Sequence, residues 1–129
     1  MTTTKKTPIV GIVGPCSAGK TTLKQGLKQH GIHAKHIAQE HSYVKDMWER
    51  LTKPDVLIFL DVSYPIAQER RKLSWNTKEY QTQEHRLRHA RQHADLLLNT
   101  DQLAPKEILQ QVLDFLKEVA DVSVDGSPD

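Results

Sequence analysis

The stretch GPCSAGKT, residues 14–21, fits the phosphate-binding pattern G-x-x-x-x-G-K-[ST] at every fixed position. Its glycines, Gly14 and Gly19, let the backbone turn so that successive N–H groups point into one concavity and bind phosphate oxygens. Lys20 would neutralise charge on the outer phosphates, and the Thr21 hydroxyl would ligate magnesium. We therefore predict a site for Mg²⁺ with ATP or GTP. The predicted nucleotide-binding residues of this stretch are Gly14, Pro15, Cys16, Ser17, Ala18, Gly19, Lys20, Thr21 and Thr22.

The segments on either side of this stretch support the prediction. Before it, residues 9–13 form a compact apolar run that is typical of a strand buried on both faces. After it, Leu23 and Leu27 recur at i, i+4 and Gly31 offers a C-terminal cap, which predicts a helix over residues 20–30. The alternative is a chance match on a glycine-containing loop, and the strand and the helix argue against it.

Cys16, the single cysteine of the chain, lies inside the same loop. A thiol among backbone N–H groups can be reactive and open to oxidation. The alternative is a small residue that only fills a position in the loop. One cysteine rules out a disulfide within the chain and fits a reducing compartment, so we expect a cytoplasmic protein.

Length and composition are those of an ordinary globular chain, because 129 residues suit one domain. The formal net charge is only +2, which gives no reason to expect nucleic-acid binding. No apolar run approaches the roughly 20 residues that a membrane span needs, and the polar N-terminus does not resemble a signal peptide. We therefore expect neither a nucleic acid nor a membrane as a partner.

Apolar and polar segments alternate along the chain in the manner of strands and helices. Strands are predicted at residues 9–13, 32–42, 56–62 and 96–101. A short helix that ends before Pro54 is predicted to present one apolar face made of Val44, Met47, Trp48 and Leu51. The other helices are predicted at residues 20–30, from Ser63, at 85–94 and from Pro105. Residues 74–84 are predicted to form a polar loop.

This alternation predicts an α/β fold. Right-handed crossovers join such strands into a parallel sheet covered on both faces, here a three-layer α/β/α sandwich with about four strands. No repeat or linker divides the chain, so residues 1–120 form one predicted domain with a lid at about residues 70–93. Residues 121–129 have nothing to bury and are predicted to be a disordered tail.

Two further segments carry a resemblance to a known family. They are KPDVLIFLDVSYPIAQERR (residues 53–71) and ADLLLNTDQLAPKEILQQVLDFL (residues 94–116). In this order they resemble the P-loop kinases, particularly the thymidylate-kinase-like branch and related small-molecule kinases. In that family a strand ending in Leu-Asp-Val leads to a helix with an arginine near the start of a mobile lid. The final strand of the family ends in a Thr-Asp pair beside the base.

The resemblance implies roles for residues outside the glycine-containing loop. Arg70 or Arg71 would lie near the base and stack on it, and Thr100 and Asp101 would lie beside the base. These four residues complete the predicted nucleotide-binding set. The choice between ATP and GTP stays open at this point.

Arginines that flank the polar loop are the predicted source of positive charge for the reaction. Phosphoryl transfer gains most from positioning and from charge on the migrating group, and a lid arginine can supply that charge while excluding water. By resemblance one of Arg86, Arg88 and Arg91 approaches the phosphates, and we take Arg86 and Arg88 as catalytic candidates. The alternative is that they solvate a helix face whose buried side carries Leu87 and Ala90.

Two departures from the family pattern concern the acceptor and the metal. Only about forty residues separate Lys20 from Asp61, too few for the inserted region that holds a phosphoryl acceptor in the family. The family's aspartate-containing motif after the first helix is missing, and Glu40 is the nearest candidate. Glu40 would hold a magnesium-bound water or orient a nucleophile across from Thr21. Asp61, which closes an apolar strand, is the rival acid for the metal.

The predicted function is Mg-dependent binding of a nucleoside triphosphate and transfer or hydrolysis of its terminal phosphate. Lys20, Glu40 and a lid arginine would carry the reaction. A small-molecule acceptor would need a site built from residues 36–50, from the lid, or from a second subunit in a homodimer. The alternative, favoured by the two departures, is a nucleotide-binding switch with slow or no hydrolysis.

Overall fold

The computed structural model describes residues 8–71 and 76–119, without the side chains of Arg71 and Val119. The strands are β1 (Val10–Val13), β2 (Ala34–His36), β3 (Val56–Asp61) and β4 (Leu96–Asn99). The helices are α1 (Lys20–Gln29), α2 (Met47–Thr52), α3 (Tyr64–Arg71), α4 (Thr77–His93) and α5 (Pro105–Val119), and a 3-10 turn spans Gln39–His41. Within the described residues no helix is long and apolar enough to cross a membrane. The predicted tail, residues 121–129, lies outside this description.

The four strands are parallel and form one sheet in the spatial order β2-β1-β3-β4. β1 therefore lies between β2 and β3. After β1 the chain passes to one side of it to form β2, and after β2 it crosses to the other side to form β3. Val13, the last residue of β1, is level with Phe59 near the end of β3. In open parallel sheets, ligands bind beyond the carboxyl ends of the strands at such a reversal. The predicted α/β class and the four-stranded parallel sheet are confirmed.

Side chains alternate between the two faces of the sheet, and each face has its own apolar core. Along β3, Ile58 and Leu60 pack in the core shared with α1 and α5. Leu57 and Phe59 pack in the core shared with α2 and α4. A strand buried on both faces is a continuous apolar run in the sequence, which is why β3 is predictable. Helices on both faces are compatible with the predicted three-layer sandwich.

Helix α1 ends where its sequence predicts. Gly31 follows the helix with a φ of 76°, a left-handed conformation that favours glycine. The N–H of Ile32 then returns to the carbonyl oxygen of Leu27 at 3.0 Å, and the N–H of Gly31 donates to Lys28 at 3.0 Å. These two bonds satisfy carbonyls that the helix end leaves without partners.

The predicted polar loop over residues 74–84 is wrong for its described part, because α4 already begins at Thr77. The side chain of Asn76 accepts a hydrogen bond from the N–H of Glu79 at 3.0 Å and so caps the helix. Tyr80 and Gln83 are buried on the face that continues to Leu87. This face carries polar atoms, so an apolar periodicity does not reveal it. The predicted lid is therefore largely one long helix, and residues 72–75 lie outside the description.

The predicted second strand, residues 32–42, is also shorter than expected. Only Ala34–His36 pairs with β1, after which the 3-10 turn buries the side chains of Gln39 and Glu40. In the helix that follows, the predicted apolar face is correct for Trp48, which is buried, but Leu51 is 74% exposed. The short helix turns this side chain away from the sheet.

The hydroxyl group of Tyr80 attaches α4 to the end of β3. It donates to the carbonyl oxygen of Val62, and the ring meets Tyr64 edge-on with centroids 5.7 Å apart. Burial raises the pKa of Tyr80, so the folded protein keeps this proton at a pH where the unfolded chain ionises. The stability that this group contributes is therefore complete below about pH 10 and is lost as the pH rises further.

We expect Tyr80→Phe to lower the free energy of unfolding by about 1 kcal/mol at neutral pH, because the Val62 carbonyl loses its donor. Between about pH 9 and pH 11 the variant should lose less stability than the unmodified chain. Chemical denaturation measures both effects, and Tyr43→Phe is the matched control because Tyr43 is 90% exposed. Equal pH dependence in the two proteins would contradict this role of Tyr80.

Candidate functional site

The loop between β1 and α1 lies at the carboxyl edge of the sheet and has an unusual backbone. Gly14, Ser17 and Gly19 have φ values of 151°, 70° and 102°. A Cβ at Gly14 would lie 2.0 Å from the carbonyl oxygen of Leu60, so only glycine fits beside β3. Two N–H groups of the loop have partners within the protein: that of Cys16 donates to Gln83 at 3.1 Å and that of Ala18 to the carbonyl oxygen of Pro15 at 3.3 Å. Helix α1 begins directly after Gly19.

Lys20, the first residue of α1, is buried beneath this loop. Its ammonium nitrogen Nζ lies 2.7 Å from Oε2 of Glu40 and 3.2 Å from the carbonyl oxygen of Pro15, and it also donates to the carbonyl oxygen of Gly14. The side chains of Lys20 and Glu40 are only 5% and 4% exposed. A buried ion pair of this kind needs its further hydrogen bonds, because both charges have lost their water.

Glu40 lies on the 3-10 turn and offers an oxygen atom that the ion pair does not use. Among the described residues, Oε1 is buried and has no hydrogen-bond partner. An unsatisfied buried acceptor is costly, so such an atom is a candidate for binding a ligand. The sequence predicts Glu40 across from Thr21, and both residues do line one cleft.

That cleft has a volume of about 230 Å³ and opens beside the loop. Its lining consists of residues 16–22 together with His36, Ala38, Glu40 and His41. The pKa of His36 is lowered, first by partial burial of its ring and next by the positive charge of Lys20. The imidazole is therefore neutral at pH 7, and Lys20 is the cation that faces Glu40.

A larger hollow of about 470 Å³ lies beside α2 and is lined by Trp48, Pro54 and Asp95 among others. It contains no residue of the glycine-containing loop. Size alone does not make it the better candidate, because the buried ion pair of Lys20 with Glu40 and the polar atoms that converge on it lie at the smaller cleft.

Two side chains that the sequence does not single out hold the glycine-containing loop and the 3-10 turn in place. Oε1 of Gln83, on α4, accepts from the backbone N–H of Cys16 at 3.1 Å. Gln39 is fully buried, and its Nε2 donates to the carbonyl oxygens of Val44 at 2.8 Å and Arg86 at 3.1 Å. Nothing in a polar stretch of sequence predicts that a glutamine is buried. The one indication for Gln83 is its position one helical turn after Tyr80, on the same buried face of α4. Gln39 thereby fixes the turn that carries Glu40.

Two of the residues predicted to lie beside a base, Arg70 and Thr100, contact the loop and the strand ends. Arg70 donates to the carbonyl oxygen of Ser17 at 2.9 Å and to the Thr100 hydroxyl at 3.1 Å. That hydroxyl lies 2.9 Å from the carbonyl oxygen of Asp61 and 3.2 Å from that of Ala18. Together these bonds join the loop, β3 and β4.

Asp101 and Arg71 are the other two members of the predicted base-contacting set. The carboxylate of Asp101 accepts from the backbone N–H of Ser63 at 2.9 Å, so it holds the start of α3. The side chain of Arg71 lies outside the described residues.

Asp61, the rival metal ligand, already has partners for both carboxylate oxygens. Oδ2 is paired with Arg91 at 3.1 Å, and Oδ1 accepts from the N–H of Val62 at 3.0 Å. The Arg91 guanidinium also stacks over the Phe59 ring at 4.5 Å. Of the two acids, Glu40 is therefore the one with an oxygen available.

The two catalytic candidates on α4 are placed differently. Arg86 donates to the backbone carbonyl oxygen of Glu40 at 3.3 Å and stacks on the Tyr43 ring at 4.4 Å. Its Nε is buried, without a partner among the described residues. Arg88 is exposed and donates to the carbonyl oxygen of His85 on its own helix at 2.6 Å. The fold thus brings Arg86, and not Arg88, to the turn that carries Glu40.

We expect Glu40→Ala to lower the free energy of unfolding by about 3 kcal/mol, because the buried ammonium of Lys20 would lose its counter-charge. Urea denaturation measures the change. The control is Asp46→Asn, which breaks the exposed pair of Asp46 with Arg50, joined at 2.9 Å. An exposed pair contributes little, so this control should leave the midpoint unchanged. Equal effects of the two substitutions would contradict a buried, stabilising pair.

Comparison with known proteins adds no relative to this description. No protein-family model matches the chain, and no curated protein matches it. What the chain does must therefore be inferred from its own residues: the loop at the end of β1, the buried pair of Lys20 with Glu40, and the cleft that both line.

Proposed function

We propose that the chain binds a magnesium-bound nucleoside triphosphate on residues 14–21 and transfers or hydrolyses the terminal phosphate, in the manner of a minimal P-loop kinase-like protein. The observation that carries the proposal is the conformation of this loop. Its three positive φ values lie between β1 and the start of α1, at the reversal of the sheet. Loop amides and the positive end of a helix are together a favourable site for phosphate.

Lys20 would change partners when the triphosphate binds. Its ammonium group is paired with Glu40 and lies against the carbonyl oxygens of Gly14 and Pro15. A phosphate on the loop amides would offer a stronger charge-assisted partner than these carbonyls. The lysine would then hold the phosphates, and the carboxylate of Glu40 would be released.

The residues around the cleft fit a magnesium ion. Thr21 exposes its hydroxyl at the first turn of α1, and Glu40 contributes an oxygen without a partner among the described residues. Thr21 and Glu40 would hold the ion, directly or through water, since magnesium prefers oxygen ligands. Asp61 is the poorer candidate because both of its oxygens have partners. When bound, magnesium neutralises charge on the outer phosphates.

Glu40 and Arg86 are the residues that we assign to the reaction. Released from Lys20, the Glu40 carboxylate would accept the proton of an attacking water or acceptor hydroxyl. Arg86, on α4, contacts the turn that carries Glu40, and its buried Nε has no partner in the described part of the chain. Its guanidinium would stabilise the charge that develops on the migrating phosphoryl group.

The acceptor, if the reaction is a transfer, would approach from the segment between the 3-10 turn and α2. Tyr43 and Val44 lie there and are 90% and 48% exposed. An exposed aromatic ring beside Arg86 and Glu40 offers an apolar surface for a small hydroxyl compound. A small molecule is the acceptor class that this surface favours.

A nucleotide-binding switch with slow or no hydrolysis is the second candidate. A volume of about 230 Å³ is below the usual range of ligand pockets, which begins at about 300 Å³. The cleft would therefore have to open to admit a nucleotide together with an acceptor. A switch requires the nucleotide alone.

Calorimetric titration with ATP, GTP and their diphosphates tests the binding step, with and without magnesium. We expect micromolar binding that weakens about 10- to 100-fold in Lys20→Ala, the loss of one charge-assisted contact. Lys24→Ala is the matched control, because Lys24 is exposed one turn further along α1. Absence of binding to any of these nucleotides, or equal effects of both substitutions, would refute the proposal.

Release of phosphate from the bound triphosphate separates the enzyme from the switch. We expect Glu40→Gln to bind the nucleotide but to lower the turnover rate at least about 100-fold, because the amide cannot accept a proton. Turnover should rise when a screen supplies the correct hydroxyl acceptor. Tight binding with the same negligible turnover in both proteins, whatever the acceptor, would favour the switch.

A further inference from the structure

We propose that Cys16, Glu40 and His41 form a second site, one that binds a divalent transition-metal ion, with zinc as the ion whose ligand preferences fit best. One donor atom from each residue lies within 4.8 Å of the other two. Sγ of Cys16 is 3.7 Å from Nε2 of His41, and the same nitrogen is 3.8 Å from Oε2 of Glu40. The cluster combines sulfur, nitrogen and oxygen donors at the mouth of the cleft.

These separations are close to those that zinc requires. With zinc–sulfur bonds of about 2.3 Å and zinc–nitrogen or zinc–oxygen bonds of about 2.0–2.1 Å, a tetrahedral ion has its ligands about 3.4–3.6 Å apart. The observed 3.7 Å and 3.8 Å are slightly longer than this, and the third pair, Sγ of Cys16 and a carboxylate oxygen of Glu40, lies within 4.8 Å, so side-chain rotations would have to close the cluster around the ion. Three protein ligands leave the fourth position to water, as in an open zinc site.

Glu40 supplies an independent reason to expect a ligand here. The residue is only 3% exposed, and its Oε1 has no partner in the described part of the chain. The oxygen that lies 3.8 Å from Nε2 of His41 is Oε2, which is also paired with Lys20, so a rotation of the carboxylate that brings Oε1 to the ion would leave Oε2 with Lys20. Two negative charges, the thiolate and the carboxylate, would then balance the metal dication.

The donor set selects zinc-like ions over magnesium. Thiolate and imidazole are ligands for zinc and other transition metals, whereas magnesium prefers oxygen alone. The nearby ammonium of Lys20, 2.7 Å from Oε2 of Glu40, repels a dication. We therefore expect a micromolar affinity, weaker than that of a structural zinc site.

Occupation of this site would also affect nucleotide binding, if the chain has the proposed function. The metal would engage Glu40 and fix Cys16, so that the loop could not also take a magnesium-bound triphosphate. Zinc would therefore inhibit nucleotide binding competitively. The metal site itself does not depend on the chain binding a nucleotide.

Cobalt(II) titration of the full chain tests the site, with the protein reduced, treated with chelator and free of nucleotide. Because Cys16 is the only cysteine, a thiolate-to-cobalt charge-transfer band in the near ultraviolet reports this residue alone. We expect the band to saturate at about one cobalt per chain and to disappear on addition of zinc. It should vanish in Cys16→Ser.

Three further variants define the ligands. His41→Asn and Glu40→Gln should each weaken cobalt binding at least about ten-fold, the usual minimum cost of losing a ligand contact. His93→Asn is the control, because this imidazole lies beside His89, with ring centroids 4.3 Å apart, and outside the cluster. Circular dichroism checks the folding of each variant. His41 is 59% exposed, so its replacement should fold even if Cys16→Ser does not.

Three outcomes would overturn the proposal. They are a folded chain without the band, a band that His41→Asn leaves unchanged, and a stoichiometry of one cobalt for two chains, which would place the thiolates of two molecules on one ion. Calorimetry with ATP and GTP in excess magnesium, on protein first freed of transition metals by a chelator that is then removed, separates the two proposals. Loss of the metal site with intact nucleotide binding would remove only this inference.

Discussion

The buried ion pair between Lys20 and Glu40 is the interaction on which the whole site depends. It joins the first residue of α1 to the 3-10 turn after β2, two elements on opposite sides of the glycine-containing loop. Burial removes water from both charges, and the pair is favourable only because carbonyl oxygens of the loop complete the coordination of the ammonium group. The same burial leaves one oxygen of Glu40 without a partner among the described residues. The stability of this cleft and the available oxygen that the proposed reaction needs therefore have one origin.

Polar side chains, together with Ala18 in the apolar core, hold the loop to the rest of the fold. Gln83 accepts from the loop at Cys16, Arg70 donates to it at Ser17, and the Thr100 hydroxyl meets it at Ala18. These contacts come from α4, α3 and the end of β4. Such bonds contribute modestly to stability, but they fix the direction of the backbone N–H groups. A loop placed in this way would lose little entropy on binding the phosphates that we propose for it.

The sequence predicts those features that depend on local chemistry. β3 is a continuous apolar run, Gly31 ends α1, and the spacing of Gly14, Gly19 and Lys20 identifies the loop. Contacts between distant segments are not predictable in this way. The burial of Gln39 and Gln83, and the choice of Glu40 over Asp61 as the acid with an available oxygen, depend on which helix covers which strand. The start of α4 was mistaken for a loop because its buried face carries hydroxyl and amide groups, which contribute no apolar periodicity.

The central claim is that the amides of the loop take the phosphates, and amide hydrogen exchange tests it most directly. With saturating magnesium and ATP or GTP, we predict slower exchange across residues 14–22 and little change in the hollow lined by Trp48 and Pro54. The Gln39–His41 turn should exchange faster, because Glu40 would be released by Lys20. Protection at the hollow with an unchanged loop would contradict the claim, since the nucleotide would then bind elsewhere.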